Sequence, residues 1–379
     1  MKIRISKRDL DQGLQVCSSS VATSGDDITT HYLFRVREGK VEVLAYNGRL
    51  FACIPLVGTE IEGTESFTID GSRLRQWLGA TSDDATLTIT LEEKPKLHVS
   101  VTTGRSTGNF QTLNPSVFPY FDGLLAQAKL TATLPAVRLR DALEHAKAFV
   151  SNQETTSPEL CVIEALDGVL RATDKKAIAF VKVDALDAST LRVHVKDTAG
   201  IIGFLGMAGT GDIEILEDDK AQFLRRPSDG AIYGETRFAA KFPSIVLDRD
   251  VADHYTWTLS KNALVKAIQQ VTATGDSKDE RLIIQWPKNQ GPISLQVRDT
   301  AGKTSTSEVD LQASTTATDA PALPTEGFPV HYKALLKTLG TQPEDTVNIG
   351  LVRMPKGGYL RFKENCGGND FLSVVAWKL

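Results

Sequence analysis

Apolar positions in this chain follow two periods, and the two alternate in the same order three times. In the first copy, Ile5-Ser6-Lys7-Arg8-Asp9-Leu10 passes from a strand-like alternation into helical spacing that runs to Leu14 and Cys17. The second copy begins at Leu134-Pro135-Ala136-Val137-Arg138-Leu139, and Leu139, Ala142, Leu143 and Ala146 fall on one helical stripe. The third begins at Leu259-Ser260-Lys261-Asn262-Ala263-Leu264, with Leu264, Ala267, Ile268 and Val271 on the stripe. Apolar residues three and four apart share a helix face, so each copy predicts a short strand and then an amphipathic helix. Ser6 and Ser260 suit the N-cap, where a hydroxyl accepts from a free backbone N–H, and Pro135 suits a first helical turn. A second helix is expected later in each copy, at 72–78, 197–205 and 332–339. Each ends on Leu-Gly, at Leu78-Gly79, Leu205-Gly206 and Leu339-Gly340, where glycine is expected to supply a left-handed cap.

The remaining runs read as strands between turn residues. Examples are 40–44, 86–91, 162–164, 169–172, 179–183, 212–216, 282–286, 293–297 and 346–351, with turns at Glu38-Gly39, Asp167-Gly168 and Asn289-Gln290-Gly291. Many strands and two helices per copy describe an α+β class with helices on one sheet face. The copies divide the chain into domains at 1–124, 125–252 and 253–379. The stretch 313–327, rich in Ser, Thr, Ala and Pro, reads as a mobile loop. Trp77 and Trp257 stand in apolar patterns and are expected in the core.

Composition narrows the classes. The chain has 379 residues, 41% hydrophobic and 24% charged, which suits a globular protein. No run approaches the roughly 18–20 apolar residues of a membrane span, and the N-terminus has no signal-peptide core, so a cytoplasmic protein is expected. Cys17, Cys53, Cys161 and Cys366 form no metal-ligand spacing and read as reduced thiols. The six histidines are scattered, and the acidic pairs Asp26-Asp27, Asp83-Asp84 and Asp218-Asp219 read as solvated loop charge. No phosphate-binding glycine loop, nucleophile elbow or zinc-protease motif is present, so no enzyme and no cofactor is expected.

Five local motifs carry a family resemblance. They are Ala172-Thr173-Asp174 with Ile178-Ala179; Asn152-Gln153; Arg237-Phe238 through Phe242-Pro243; Gly108-Asn109-Phe110 through Phe118-Pro119; and Val374-Val375 through Lys378-Leu379. Taken in order and spacing, they resemble the bacterial sliding clamp, the β subunit of DNA polymerase III. The resemblance covers the whole chain. It implies three repeated clamp domains per subunit and a head-to-tail homodimeric ring, with helices lining the hole and sheets outside. It further implies double-stranded DNA held without sequence preference, a polymerase and an ATP-dependent clamp loader as partners, and a cytoplasmic place with no membrane.

The same resemblance assigns residues. DNA contact falls to Lys7, Arg8, Arg73, Arg75, Arg138, Arg140, Lys147, Gln153, Lys196, Lys261, Lys266, Lys333 and Lys337. The dimer interface pairs Phe110 and Thr112 with the partner's Gln270, Val271, Thr272, Ala273 and Thr274. A partner-peptide pocket falls on Thr173, Asp174, Lys175, Lys176, Ala177, Ile178, Pro243, Leu247, Ser373, Val374, Val375, Ala376, Trp377, Lys378 and Leu379. Ile178, Val374 and Val375 are its expected apolar floor. Four positions depart from the family pattern: Lys175 stands for Gly, Ala177 for Arg, Leu247 for a basic residue, and Trp377 for a smaller one. A lysine resists the positive φ that glycine allows, so the turn at 174–177 is expected to take another shape and the pocket another preference.

Charge agrees with such a ring. The six helix segments together sum to +6, and the rest of a chain of net charge −4 sums to −10. A mildly positive lining attracts phosphates and an acidic exterior repels them. Ordinary solvated helix faces give the same count. A structural or assembly protein, phage-borne or carbohydrate-binding, with no DNA role is the alternative, and a clamp of a phage or mobile element is a variant of the first reading.

Overall fold

The computed structural model describes residues 1–25, 27–93, 96–240, 242–243, 251–275, 280–286, 291–366 and 368–378. The six predicted helices form as α1 (Lys7–Cys17), α2 (Gly71–Gly79), α4 (Ala136–Lys147), α5 (Thr198–Met207), α6 (Lys261–Thr272) and α7 (Tyr332–Gly340), and a short α3 (Asp122–Gln127) joins them unexpected. Ser6 Oγ accepts from Asp9 N at 3.1 Å and Ser260 Oγ from Ala263 N at 3.2 Å, so both expected caps form. Pro135 closes a strand instead, and α4 starts one residue later. Gly79, Gly206 and Gly340 do not adopt positive φ, because each stays inside its helix. The final carbonyls are taken by tight last-turn bonds, as in Thr81 N to Leu78 O at 2.9 Å and Gln342 N to Leu339 O at 3.2 Å.

The chain divides into two compact units. The first comprises 1–140, 188–191 and 196–239; the second comprises 141–187, 192–195 and 240–379. The first unit holds a five-stranded sheet centred on Lys2–Ser6 and Thr86–Glu92, and an eight-stranded sheet. In the larger sheet, Ile232–Thr236 from the second copy pairs with Leu50–Pro55 from the first, with Gly234 opposite Phe51. Gly234 also faces Phe223, whose ring lies so close that a Cβ at 234 would come within 2.4 Å of it. Glycine there lets Phe51 and Phe223 approach to 5.9 Å between ring centres, at the heart of a cluster with Leu33, Leu44, Phe118 and Phe121.

The second unit holds a nine-stranded and a four-stranded sheet. Here Ala177–Lys182 of the second copy pairs with Asn369–Lys378 of the third, with Ile178 opposite Val374 and Phe180 opposite Leu372. Tyr255–Ser260 alternates strictly, burying Tyr255, Trp257 and Leu259, so Trp257 is core as expected. Trp77 is only half-buried, set edge-on to Phe110 at 6.5 Å. The expected loop at 313–327 begins with a strand, Ala313–Thr316, paired with Tyr255–Ser260. Hairpins form at Glu38-Gly39 and Asp167-Gly168 with positive φ at both residues, the backbone that two-residue hairpins need. The turn at Asn289-Gln290-Gly291 lies largely outside the described residues. Cys17, Cys53 and Cys161 are buried free thiols. Among the described residues no helix is long and apolar enough to cross a membrane.

Candidate functional site

The strands Val169–Thr173 and Ala177–Lys182 of the second unit are joined by a turn at 174–176. Asp174 Oδ1 accepts from Lys176 N at 3.0 Å and Ala177 N at 2.9 Å, and Thr173 Oγ1 accepts from Lys175 N at 3.1 Å. These bonds hold Lys175 at φ 72°. The expected change of turn shape therefore does not occur: the chain keeps the glycine-type backbone and puts a lysine in it. A side chain in that region costs on the order of 1 kcal/mol.

Beyond the turn, alternation sorts the side chains. Ile178 and Val374 stand opposite each other and gather Phe242, Val352 and Tyr359 into one apolar cluster. Phe180, Leu372 and Val251 pack against it, partly buried. Val375, expected on the same floor, is one residue out of phase and points to the opposite face of the sheet, where it is fully buried. Ser373 also faces that way, 2.8 Å from His145 Nε2. Burial among Phe149, Phe371 and its own helix pushes the His145 imidazole down to about 4. Ala376 is exposed, Pro243 half-buried and Thr173 buried. Leu247 and Leu379 lie outside the described residues, as do the side chains of Trp377 and Lys378. Phe242, Val352 and Tyr359 were missed by the sequence reading. Stepping two residues along each strand from Ile178 and Val374 finds Phe180 and Leu372 but not these.

Carboxylates claim several of the expected DNA-facing cations. Lys7 is buried, its ammonium 2.6 Å from both Asp11 and Asp83, and those hydrogen bonds hold its pKa above the ordinary value. Lys7 is therefore removed from the DNA-facing set. In the second unit Lys337 pairs with Asp174, and Lys333 and Lys176 bind Glu280 at 2.7 and 3.1 Å. Those two lysines hold the Glu280 carboxyl down to about 2. Lys261 donates to Gln342 O at 2.7 Å. Arg8, Arg73, Arg75, Lys147, Gln153, Lys196 and Lys266 are exposed, and Arg138 and Arg140 are half-buried.

For the expected interface, Ser106–Gln111 is an outer strand of the five-stranded sheet. Phe110 and Val271, however, are buried within their own units, and Thr112 Oγ1 accepts from Thr68 N at 3.0 Å. Gln270, Ala273 and Thr274 are exposed, and Thr272 donates to Ile268 O at 2.8 Å. The second unit offers an edge of its own, Thr304–Val309, beside α6, with Thr274 Oγ1 2.7 Å from Ser305 Oγ. Its Thr-Ser-Thr-Ser-Glu-Val alternation was the available sequence signal.

No protein-family model matches the chain, and no curated protein matches it in sequence. Solved structures do. The DNA polymerase sliding clamp from Caulobacter crescentus superposes with a TM-score of 0.81 at 17% identity, over 100% of both chains. The β subunit of DNA polymerase III from Thermotoga maritima gives 0.81 at 15%, over 100% of this chain and 99% of that one. A griselimycin-bound sliding clamp from Pseudomonas aeruginosa gives 0.80 at 16%, over 100% of both. The chain has the sliding-clamp fold. The α+β reading and the strand-and-helix repeats that suggested that fold are thereby accounted for, while the identities leave the function to be argued from residues.

Proposed function

We propose that the chain is a processivity factor: a non-enzymatic, homodimeric ring of three clamp domains per subunit (1–124, 125–252, 253–379) that encircles duplex DNA and tethers a polymerase. The observation that carries this reading is the match to sliding clamps from end to end of both chains. A ring needs two complementary free edges on each subunit. The outer strands Ser106–Gln111 and Thr304–Val309 supply them, with the exposed end of α6 beside the second. Sequence-independent retention needs exposed cations without base readers, and Arg8, Arg73, Arg75, Lys147, Lys196 and Lys266 are suited to it. The apolar cluster at Ile178 and Val374, rimmed by the Thr173–Ala177 turn, is the place for a short peptide from the polymerase and from an ATP-dependent loader. A cytoplasmic location goes with that role.

The test has two arms. Light scattering is expected to give a particle of twice the 41.2 kDa chain mass. On nicked circular DNA, the loaded ring carrying Arg73→Ala, Lys147→Ala and Lys266→Ala together is expected to dissociate faster and to lose about one unit of salt slope per phosphate contact removed. A monomer at micromolar concentration, or an unchanged half-life and slope, overturns the reading.

A further inference from the structure

The apolar face that holds Ile178 and Val374 does not end there. Along the same two strands, on the same side, Phe180 and Leu372 follow at the next inward positions, half-buried and in contact with the cluster. They open into a cleft of about 680 Å³ at the far end of the strands, floored also by Val169. That volume is of the size that takes a linear ligand segment, commonly about 300–1,000 Å³.

The rim of this cleft carries both signs of charge, but its cations are already spoken for. Lys182 pairs with Asp184 at 3.2 Å, and Lys363 with Asp253 at 3.2 Å. Two carboxylates remain on that face: Asp167 and Asp370, of which Asp370 accepts from Asn365 at 2.5 Å. Among the described residues neither of the two is ion-paired.

We propose that the partner-peptide site continues from the Ile178–Val374 pocket into this cleft, which takes a second apolar residue against Phe180 and Leu372 and then a basic side chain at the Asp167 and Asp370 rim. The proposal rests on the processivity reading and deepens it: the partner is a linear segment longer than the pocket alone requires. Ile178 to Lys182 is four strand residues, roughly 13 Å at about 3.3 Å each, so the extension is about four residues. Lys182 stays with Asp184, and the incoming cation replaces no existing bond.

Fluorescence anisotropy with synthetic peptides tests it on the full-length protein. One probe is a short peptide of the Gln-Leu-x-Leu-Phe type. Two others extend it, at the N- or the C-terminus, by four residues that include a Leu and finish in Lys. One extended peptide is expected to bind at least about tenfold tighter than the short one, a difference of about 1.4 kcal/mol. Leu372→Ser and Asp370→Lys are each expected to reduce that gain severalfold while leaving the short peptide within about twofold of wild type, which also reports that the variants are folded. Equal binding of short and extended peptides overturns the continuation and leaves the pocket standing. A full gain retained in both variants overturns its location. Binding of no peptide at all overturns the pocket and the continuation together.

Discussion

The second copy of the repeat joins a neighbouring copy's sheet at two places, and the two junctions are built differently. In the first unit, where Ile232–Thr236 meets Leu50–Pro55, the apolar cluster around Phe51, Phe118, Phe121 and Phe223 is covered by the chain's own α3, through Leu124 and Leu125. Arg49 Nη2 lies 2.6 Å from the buried Asp197, and the buried Gln222 Nε2 donates to the buried Glu235 at 2.5 Å. The hairpin beside this junction turns through Gly230 at φ 81°. In the second unit, where Ala177–Lys182 meets Asn369–Lys378, no helix residue is among the described residues packed against the cluster. Phe180 and Leu372 are left half-buried beside an open cleft, and the hairpin turns through Lys175 rather than a glycine. A junction finished by its own chain has no room for a partner. A junction with uncovered apolar surface and a strained residue has both the room and the sign of a retained cost, which proteins tolerate where function holds it in place.

The largest effect expected from this contrast is in the cores. Phe223→Ala should cost about 3–5 kcal/mol, as a fully buried ring lost from a closed cluster. Leu372→Ala, half-buried at an open cleft, should cost about 1 kcal/mol or less. Guanidinium denaturation at equilibrium measures both. Comparable losses would mean that the second junction is closed as tightly as the first.

The next effect is on pH, where one buried group in each unit responds with opposite sign. His145 in the second unit has its folded pKa lowered to about 4, below the ordinary 6.5, so the folded state favours neutral imidazole. Its contribution is present above pH 6.5 and is lost as pH falls through 4, by up to about 3 kcal/mol in all. Glu235 in the first unit has its carboxyl pushed well up by burial and by Asp197, so it favours the protonated form and loses stability as pH rises above its ordinary range. Thermal melts from pH 4 to 8 should show His145→Gln flattening the acid side and Glu235→Gln raising stability on the alkaline side. A shift of the same sign from both substitutions would remove this distinction.

Much of the fold was legible because local pattern decides it. The stripes at Leu10, Leu139 and Leu264 each became a buried helix face, and the alternation at 255–260 became a strand. The errors share a cause as well. Gly79, Gly206 and Gly340 were read as stops, yet nothing in a Leu-Gly pair says on which side of the last helical turn the glycine falls. Val375 was assigned to the pocket floor with Val374 from the resemblance of the tail, although strand period two sends neighbours to opposite faces. The pairing of Lys7 with Asp83 spans 76 residues and leaves no local trace, which is why a buried lysine was read as one facing DNA. The site was legible as a turn plus a tail. The residues that complete its apolar cluster, Phe242, Val352 and Tyr359, come from three separate segments that only the folded sheet brings together.

The smallest expected effect isolates the turn itself. Lys175 sits in the left-handed region, which costs a residue bearing a Cβ about 1–2 kcal/mol, but glycine there also gives the unfolded chain more freedom, worth about 0.5–1 kcal/mol. Lys175→Gly is therefore expected to stabilise by only about 0.5–1 kcal/mol, read as a small rise in the denaturation midpoint. Lys175→Ala keeps the Cβ and should show no such gain, which separates backbone strain from loss of the distant 3.6 Å contact with Glu159. The reciprocal change sits at the other junction. A side chain at Gly230 meets no atom within 4 Å, so Gly230→Lys should lose about what Lys175→Gly gains, through φ alone. Equal melts for Lys175→Gly and Lys175→Ala would mean that the turn relaxes around its lysine, and the contrast between the junctions would then rest on the uncovered apolar surface alone.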